Sequence, residues 1–233
     1  MANAGFNAAT DIFSMGDKWA VQSNAMNASG STAKCPDGNA DTTHRDQYAD
    51  RIAPSAEYTL KGDNPTLPNL GTIVTIASKK VMLAKIVIKT VKGAAPTASV
   101  SGVEVESGAT TRRKYACGTI ALTARHKAQD ILGLLGQSTP STLTEATFTF
   151  SITPSIADPK GVIVASDCND GEVVAQYTHT SGTGAAISAP TITGSTTKVV
   201  SEPVSTTSPE NDYVTTTYSI TDSLTGSETA AAA

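Results

Sequence analysis

From residue 145 to 153 the chain reads Glu-Ala-Thr-Phe-Thr-Phe-Ser-Ile-Thr, and Phe148, Phe150 and Ile152 occupy every second position. A two-residue period places them on one face of a β-strand, with Thr and Ser on the other. Residues 213–221 repeat the pattern through Val214, Thr216, Tyr218 and Ile220. Shorter segments at 57–60, 72–76, 98–105, 115–123, 161–165 and 172–180 read as strands from their β-branched content. Segments 187–192 and 197–204 each carry a proline, which suits edge strands. Turn chemistry punctuates them: the segment 93–96, Ser107-Gly108, and Asn169-Asp170-Gly171, which reads as a hairpin turn. No strict internal repeat is present.

The central stretch, 77–136, holds the longest β-branched run and one helix signal. Lys85, Lys89 and Lys92, spaced by four and three, would line one helical face. Yet Val, Ile and Thr dominate 81–92, and β-branched side chains lose rotamer freedom in a helix. A long strand is the better reading, with the lysines at a solvent or subunit face. The helix is expected at 124–135. Thr123 can cap it, Ala124, Ala128, Ile131, Leu132 and Leu135 form one apolar stripe, and Gly136 can close it. So short a helix is marginal alone and must dock on an apolar surface.

Residues 1–56 show little periodicity. Trp19 is the one large anchor, and Pro36-Asp37-Gly38 is a turn signal among Asn, Ala, Ser and Gly. An extended arm with one or two short strands or a short helix is expected there. The resulting fold class is mainly β: an antiparallel β-sandwich or barrel with one docked α-helix and extended terminal arms. Its divisions would be an arm at 1–56, a core at 57–193, and a strand pair with a frayed tail at 194–233.

Composition agrees. Charged residues are 16% and aromatics 5% of 233 residues, and Thr, Ser, Ala and Gly replace the missing bulk. A helical bundle needs more Leu, Glu and Lys than this. The net charge of −4 hides a segregation along the chain. Residues 1–75 carry a net of −3, 76–128 a net of +8, and 129–233 a net of −9. Such a layout either pairs charges inside the fold or yields faces of opposite sign.

Chemistry is scarce. The three cysteines, Cys35, Cys117 and Cys168, are too few and too widely spaced for a disulfide framework or a metal site. Cys117 is expected as a small buried hydrophobe in a strand. His44 reads as part of a polar loop. His126, between Arg125 and Lys127, reads as a solvated or interface residue. His179 alternates with Thr and is expected on the exposed side of its strand. Neither a GxSxG elbow nor a phosphate-binding glycine loop is present. Asp167 to Gly171 begins like a calcium loop but lacks the later ligands. No catalytic residue, cofactor or metal is therefore assigned. The N-terminus has neither the basic start nor the apolar core of a secretory signal, and no run approaches the length of a membrane helix.

The positive charge of the central stretch comes from Lys79, Lys80, Lys85, Lys89, Lys92, Arg112, Arg113, Lys114, Arg125 and Lys127. Phosphate binding wants such a patch, but only Tyr115 stands near it for base stacking. Nucleic acid is thus a weak candidate as a specific partner. The acidic remainder of the chain offers these cations a protein partner instead, so they are assigned to a contact between subunits.

The order of elements over 57–221, with the 93–96 hairpin, one helix near 125–135 and further strands, resembles bacteriophage virion proteins of the tail-tube kind. That resemblance rests on composition and element order and carries over no functional residue. It implies a non-enzymatic structural subunit that assembles with copies of itself and other virion proteins. Such a subunit is made in the host cytoplasm and ends in the virion, without a membrane. The Thr-rich segment beyond Gly194 exceeds a minimal tube subunit, which leaves a capsid decoration or minor capsid role as an alternative. A secreted adhesive or carbohydrate-binding β-module is the other, and it would want exposed aromatic platforms.

Overall fold

A computed structural model describes residues 10–29, 32–36, 42–47, 51–106, 113–124, 142–154, 167–182, 184–189, 191, 196–210 and 212–228, with side chains described outside 28–51. The helix expected at 124–135 and the strand at 161–165 lie outside these residues, Ala124 excepted. The described chain is mainly β and antiparallel. Its strands are β1 (Trp19–Ser29), β2 (Thr32–Pro36), β3 (Thr42–Gln47), β4 (Arg51–Leu60), β5 (Ile73–Ile76), β6 (Lys79–Val91) and β7 (Thr97–Val105). They continue as β8 (Arg113–Tyr115), β9 (Leu143–Pro154), β10 (Cys168–Ser181), β11 (Val199–Val200), β12 (Val204–Thr207), β13 (Val214–Ser223) and β14 (Gly226–Glu228).

Ten of the strands form one sheet in the order β1-β4-β7-β6-β9-β10-β13-β11, with β12 beside β13 and β5 beside β6. The alternation read from the sequence sets which face is buried. Tyr58, Ala98, Ile88, Phe148, Ala175 and Ile220 stand side by side across six neighbouring strands, each 1% exposed or less. A second row runs Ala56, Val100, Ile86, Phe150 and Val173. Small residues sit beside large ones in these rows, which lets the rings fill the layer without collision. Burying each large side chain contributes roughly 1.5–3 kcal/mol.

Residues between strands complete the core. Phe13, Met15, Leu67, Leu70, Ile120 and Leu122 belong to the same buried cluster. Backbone bonds join 64–70 to 115–122: Asn64 N to Leu122 O at 2.7 Å, Leu67 N to Gly118 O at 2.9 Å, and Ile120 N to Pro65 O at 2.9 Å. The strand expected over 115–123 is therefore corrected. Past Tyr115 the chain pairs with the proline-containing loop through single bridges, where Pro65 and Pro68 leave no donors for a regular ladder. Cys117 lies just past β8 in the segment that faces this loop and is half-buried, not in a strand.

Other expectations change for similar reasons. Asn169 to Gly171 does not turn a hairpin. β10 runs through it with a register shift against β9, and Asp170 takes a φ of 54°. The extra residues are absorbed as a bulge. Segment 187–189 is not a strand, and the expected 197–204 strand is two short ones, β11 and β12, separated by Ser201, Glu202 and Pro203. The N-terminal part, expected as an arm with short elements, forms a long hairpin: β1 pairs β4 from Trp19↔Leu60 to Ser29↔Arg51, and β2 pairs β3 from Thr32↔Gln47 to Pro36↔Thr42.

The β5–β6 turn offers a stability test. Ile76 pairs Lys79 across Ala77 and Ser78, whose φ values are 49° and 66°. Positive φ at both central residues is the type I′ requirement, which Asn-Gly meets without strain. The double substitution Ala77→Asn, Ser78→Gly is expected to stabilise the fold by about 1 kcal/mol, raising Tm by about 2–4 °C. A calorimetric Tm that is unchanged or lower would refute the turn assignment.

Candidate functional site

The long strand expected at 81–92 forms as β6, and its bulge between Leu83 and Lys85 sets which side chains face out. Lys85, Val87 and Lys89 point away from the core, while Ile86, Ile88 and Thr90 are buried. The neighbours on the outer face are small and polar. One row reads Ser55, Ser101, Lys85, Ser151 and Glu172, and the next reads Glu57, Ser99, Val87, Thr149 and Val174.

Three of the ten cations assigned to a subunit contact pair inside the chain. Lys79 Nζ lies 2.7 Å from Glu104 Oε1, and Glu104 Oε2 accepts the Ile52 backbone N–H at 2.8 Å. This carboxylate ties β4, β6 and β7 together at one end. Lys89 reaches Glu145 at 2.8 Å, across from β6 to β9. Arg113 pairs with Glu228 on β14 and donates to Asn169 Oδ1 at 3.3 Å. The hydrogen bond that Arg113 donates to the Glu228 carboxylate raises the already high pKa of this exposed guanidinium. Solvent screening leaves pairs this exposed with little net effect on stability. Lys80, Lys85, Lys92 and Lys114 make no ion pair among the described residues. Arg112, Arg125 and Lys127 lie outside them, as does His126; the side chains of His44 and Cys35 do too.

His179 overturns its expectation. It is 1% exposed, on the core side of β10 opposite Leu143 and Thr216. The alternation with Thr pointed the wrong way because Thr178 and Thr180, not His179, take the outer positions. Its Nε2 lies 3.1 Å from the Tyr218 hydroxyl and its Nδ1 3.2 Å from Thr142 Oγ1, and its ring stacks on Tyr218 at 5.4 Å. Thr216 Oγ1 extends the polar layer to the Ile187 N–H at 3.1 Å and to Ser205 Oγ at 3.0 Å. Both imidazole nitrogens are occupied and sealed from solvent, so the ring offers none to a substrate.

Burial holds the His179 pKa below its ordinary value. A depressed histidine makes the unfolded chain bind more protons as pH falls through about 6.5, so stability present above that pH is lost below it. The urea midpoint is expected to drop between pH 7.5 and pH 5, and His179→Gln is expected to flatten that drop. Equal drops in both proteins would show that another group titrates.

The two described thiols are free. Burial pushes both Cys117 and Cys168 up to about 11, and Cys168 Sγ donates to Arg113 O at 3.2 Å. Neither is a thiolate at neutral pH. Among the described residues, no three His, Cys, Asp or Glu side chains gather as a metal site, and no helix is long and apolar enough to cross a membrane.

The aromatic side chains bear on binding. Phe13, Trp19, Tyr58, Tyr115, Phe148, Phe150, Tyr177 and Tyr218 are all buried, and Tyr213 alone among the described aromatics is exposed, at 45%. Stacking platforms for sugars or bases need exposed rings. No family model and no curated protein sequence matches the chain.

Proposed function

We propose that this chain is a non-enzymatic structural subunit that self-assembles into a component of a bacteriophage particle, a tail tube or a related virion part. In this reading the sheet closes as a sandwich or barrel, and the 124–135 segment docks on it as a helix. The partners are copies of itself and other virion proteins, and the site of action is the virion. Lys80, Lys85, Lys92 and Lys114 supply the cationic side of one contact.

The observation that carries the reading is the N-terminal hairpin. Among the described residues, β4 pairs β7 only over Ser55–Thr59, and β2 and β3 pair with each other alone. A lone two-stranded hairpin is marginal in water. Such a hairpin makes sense where another molecule covers it. The buried aromatics argue against the carbohydrate-binding alternative, which needs exposed rings.

Negative-stain microscopy with light scattering on the purified chain tests this. Rings, tubes or large oligomers are expected at tens of micromolar and above. A monomer at every concentration would overturn it. Lys85→Glu with Lys92→Glu is expected to reduce assembly and leave the monomer's thermal transition within about 1 °C, since exposed surface substitutions change stability little.

A further inference from the structure

Cys35 and His44 are apart in sequence and opposite each other in the fold. β2 and β3 pair as Thr32↔Gln47, Ala33↔Asp46, Lys34↔Arg45 and Cys35↔His44, and the register shifts only beyond Cys35, on the way to Pro36↔Thr42. From Ala33 to Cys35 the ladder is therefore regular. Alternate residues of a strand share a face. Ala33, Cys35, His44 and Asp46 thus occupy one face of the hairpin, and Thr32, Lys34, Arg45 and Gln47 occupy the other. The residue types that ligate metals gather on the first face, and both cations fall on the second.

The cross-strand pairs themselves give this hairpin little stability. None of them joins two large apolar residues, and Lys34 opposite Arg45 is a like-charge pair, which destabilises a ladder. Among the described residues β2 and β3 pair only with each other, and an isolated two-stranded hairpin is marginal in water. A metal ion bridging the two strands supplies what the pairs lack. Where the folded register alone gathers the ligands, the free energy of binding becomes free energy of folding.

We propose that Cys35, His44 and Asp46 bind one zinc ion, which clips β2 to β3. Residues directly opposed in an antiparallel ladder have Cβ atoms about 4.5–5.5 Å apart. A zinc ion fits such a gap, since Zn–S is about 2.3 Å and Zn–N about 2.0–2.1 Å. Asp46 is the diagonal neighbour of Cys35 on the same face and completes a three-donor set. Thiolate, imidazole and carboxylate together suit zinc, whereas magnesium and calcium take oxygen ligands. Water takes the fourth tetrahedral position. On binding, the Cys35 thiol releases its proton to solvent and its sulfur donates a lone pair to the ion, so affinity rises with pH. Nothing is oxidised or reduced.

The site does not depend on self-assembly: the ion takes one face of the hairpin and leaves the other to a partner. The test uses the full chain, reduced and stripped with a chelator, titrated with Co²⁺ and then with Zn²⁺. Co²⁺ is expected to give a thiolate charge-transfer absorption, which Zn²⁺ bleaches at one equivalent per chain. Even groups behind the ligands are worth about 10–100-fold in metal affinity, so Cys35→Ala, His44→Ala and Asp46→Ala are each expected to raise the Kd for Zn²⁺ about tenfold or more. Cys117→Ala and the opposite-face Lys34→Gln are expected to bind as wild type does. Trypsin reads the clip itself, because Lys34 and Arg45 are its cleavage sites within β2 and β3. Zn²⁺ is expected to slow cleavage at these two residues in wild type but not in Cys35→Ala. A wild-type chain with no charge-transfer absorption would overturn the site, whatever the variants do. Zn²⁺ affinity that survives all three ligand substitutions would overturn it too, by placing the ion elsewhere. Binding that leaves trypsin cleavage unchanged would overturn the clip. If the chain binds Zn²⁺ in this way yet stays monomeric, the site stands and the self-assembly reading fails.

Discussion

Phe148→Ala is expected to cost about 3–5 kcal/mol, enough to unfold much of the population of a marginally stable chain. Phe148 is fully buried between Ile88 and Ala175, and its ring meets Tyr177 edge to face at 5.8 Å. Truncation removes the transfer energy of the ring and leaves a cavity. The flanking strands are held by ladders on both sides and cannot collapse into it. Thr149 lies next in sequence but on the outer face, between Val87 and Val174. Thr149→Ala is expected to change stability by less than about 0.5 kcal/mol. Urea denaturation of the pair checks the assignment of faces: similar midpoints would mean that Phe148 is not in the core.

The second large effect is expected at Gly71. It has a φ of +81°, and its N–H bonds Leu83 O at 2.9 Å. A Cβ placed there would stand 2.6 Å from Arg113 O and 3.0 Å from Cys168 Sγ. The first neighbour is backbone and cannot rotate away. Left-handed conformation alone costs a non-glycine residue roughly 1–2 kcal/mol. Shifting β8 would also strain the Leu70–Tyr115 pairing, whose two bonds are 3.0 Å each. Gly71→Ala is thus expected to lose about 3 kcal/mol or more in all, at the upper end of single substitutions. Gly93, also at positive φ but with open space around it, serves as the comparison, because Gly93→Ala incurs the conformational cost alone. If the two variants melt together, the close approach of β8 to Gly71 is wrong.

Part of this architecture is local and was legible in the residues. Phe148, Phe150 and Ile152, and Val214, Thr216, Tyr218 and Ile220, all fall on the buried face, because a two-residue period survives whatever the strand pairs with. β6 could be told from a helix because β-branched side chains disfavour helix at each position separately. The outward placement of Lys85 and Lys89 followed from the same strand reading.

What escaped the sequence depends on distant partners. His179 is surrounded by Thr in the chain, and only the pairing with β9 and β13 brings Thr142 and Tyr218 to its nitrogens. The long hairpin was obscure because β1, β2 and β3 are largely polar in sequence; β4 does bury Ile52, Ala56, Tyr58 and Leu60 on one face, but Pro54 and the small alanines weaken that period. Asn169 to Gly171 carries the local chemistry of a turn, yet it serves as a bulge. Gly171 faces the Tyr115 ring, and a Cβ there would come within 2.1 Å of it. The charge segregation was plain from the start. Whether Lys79, Lys89 and Arg113 found Glu104, Glu145 and Glu228 was decided by register, since an ion pair depends on which strands become neighbours and composition is silent on that. The sequence by itself determined the mainly β character and the buried faces of β9 and β13. The tertiary structure alone decided which strands meet and which histidine is sealed, because both depend on residues far apart in the chain.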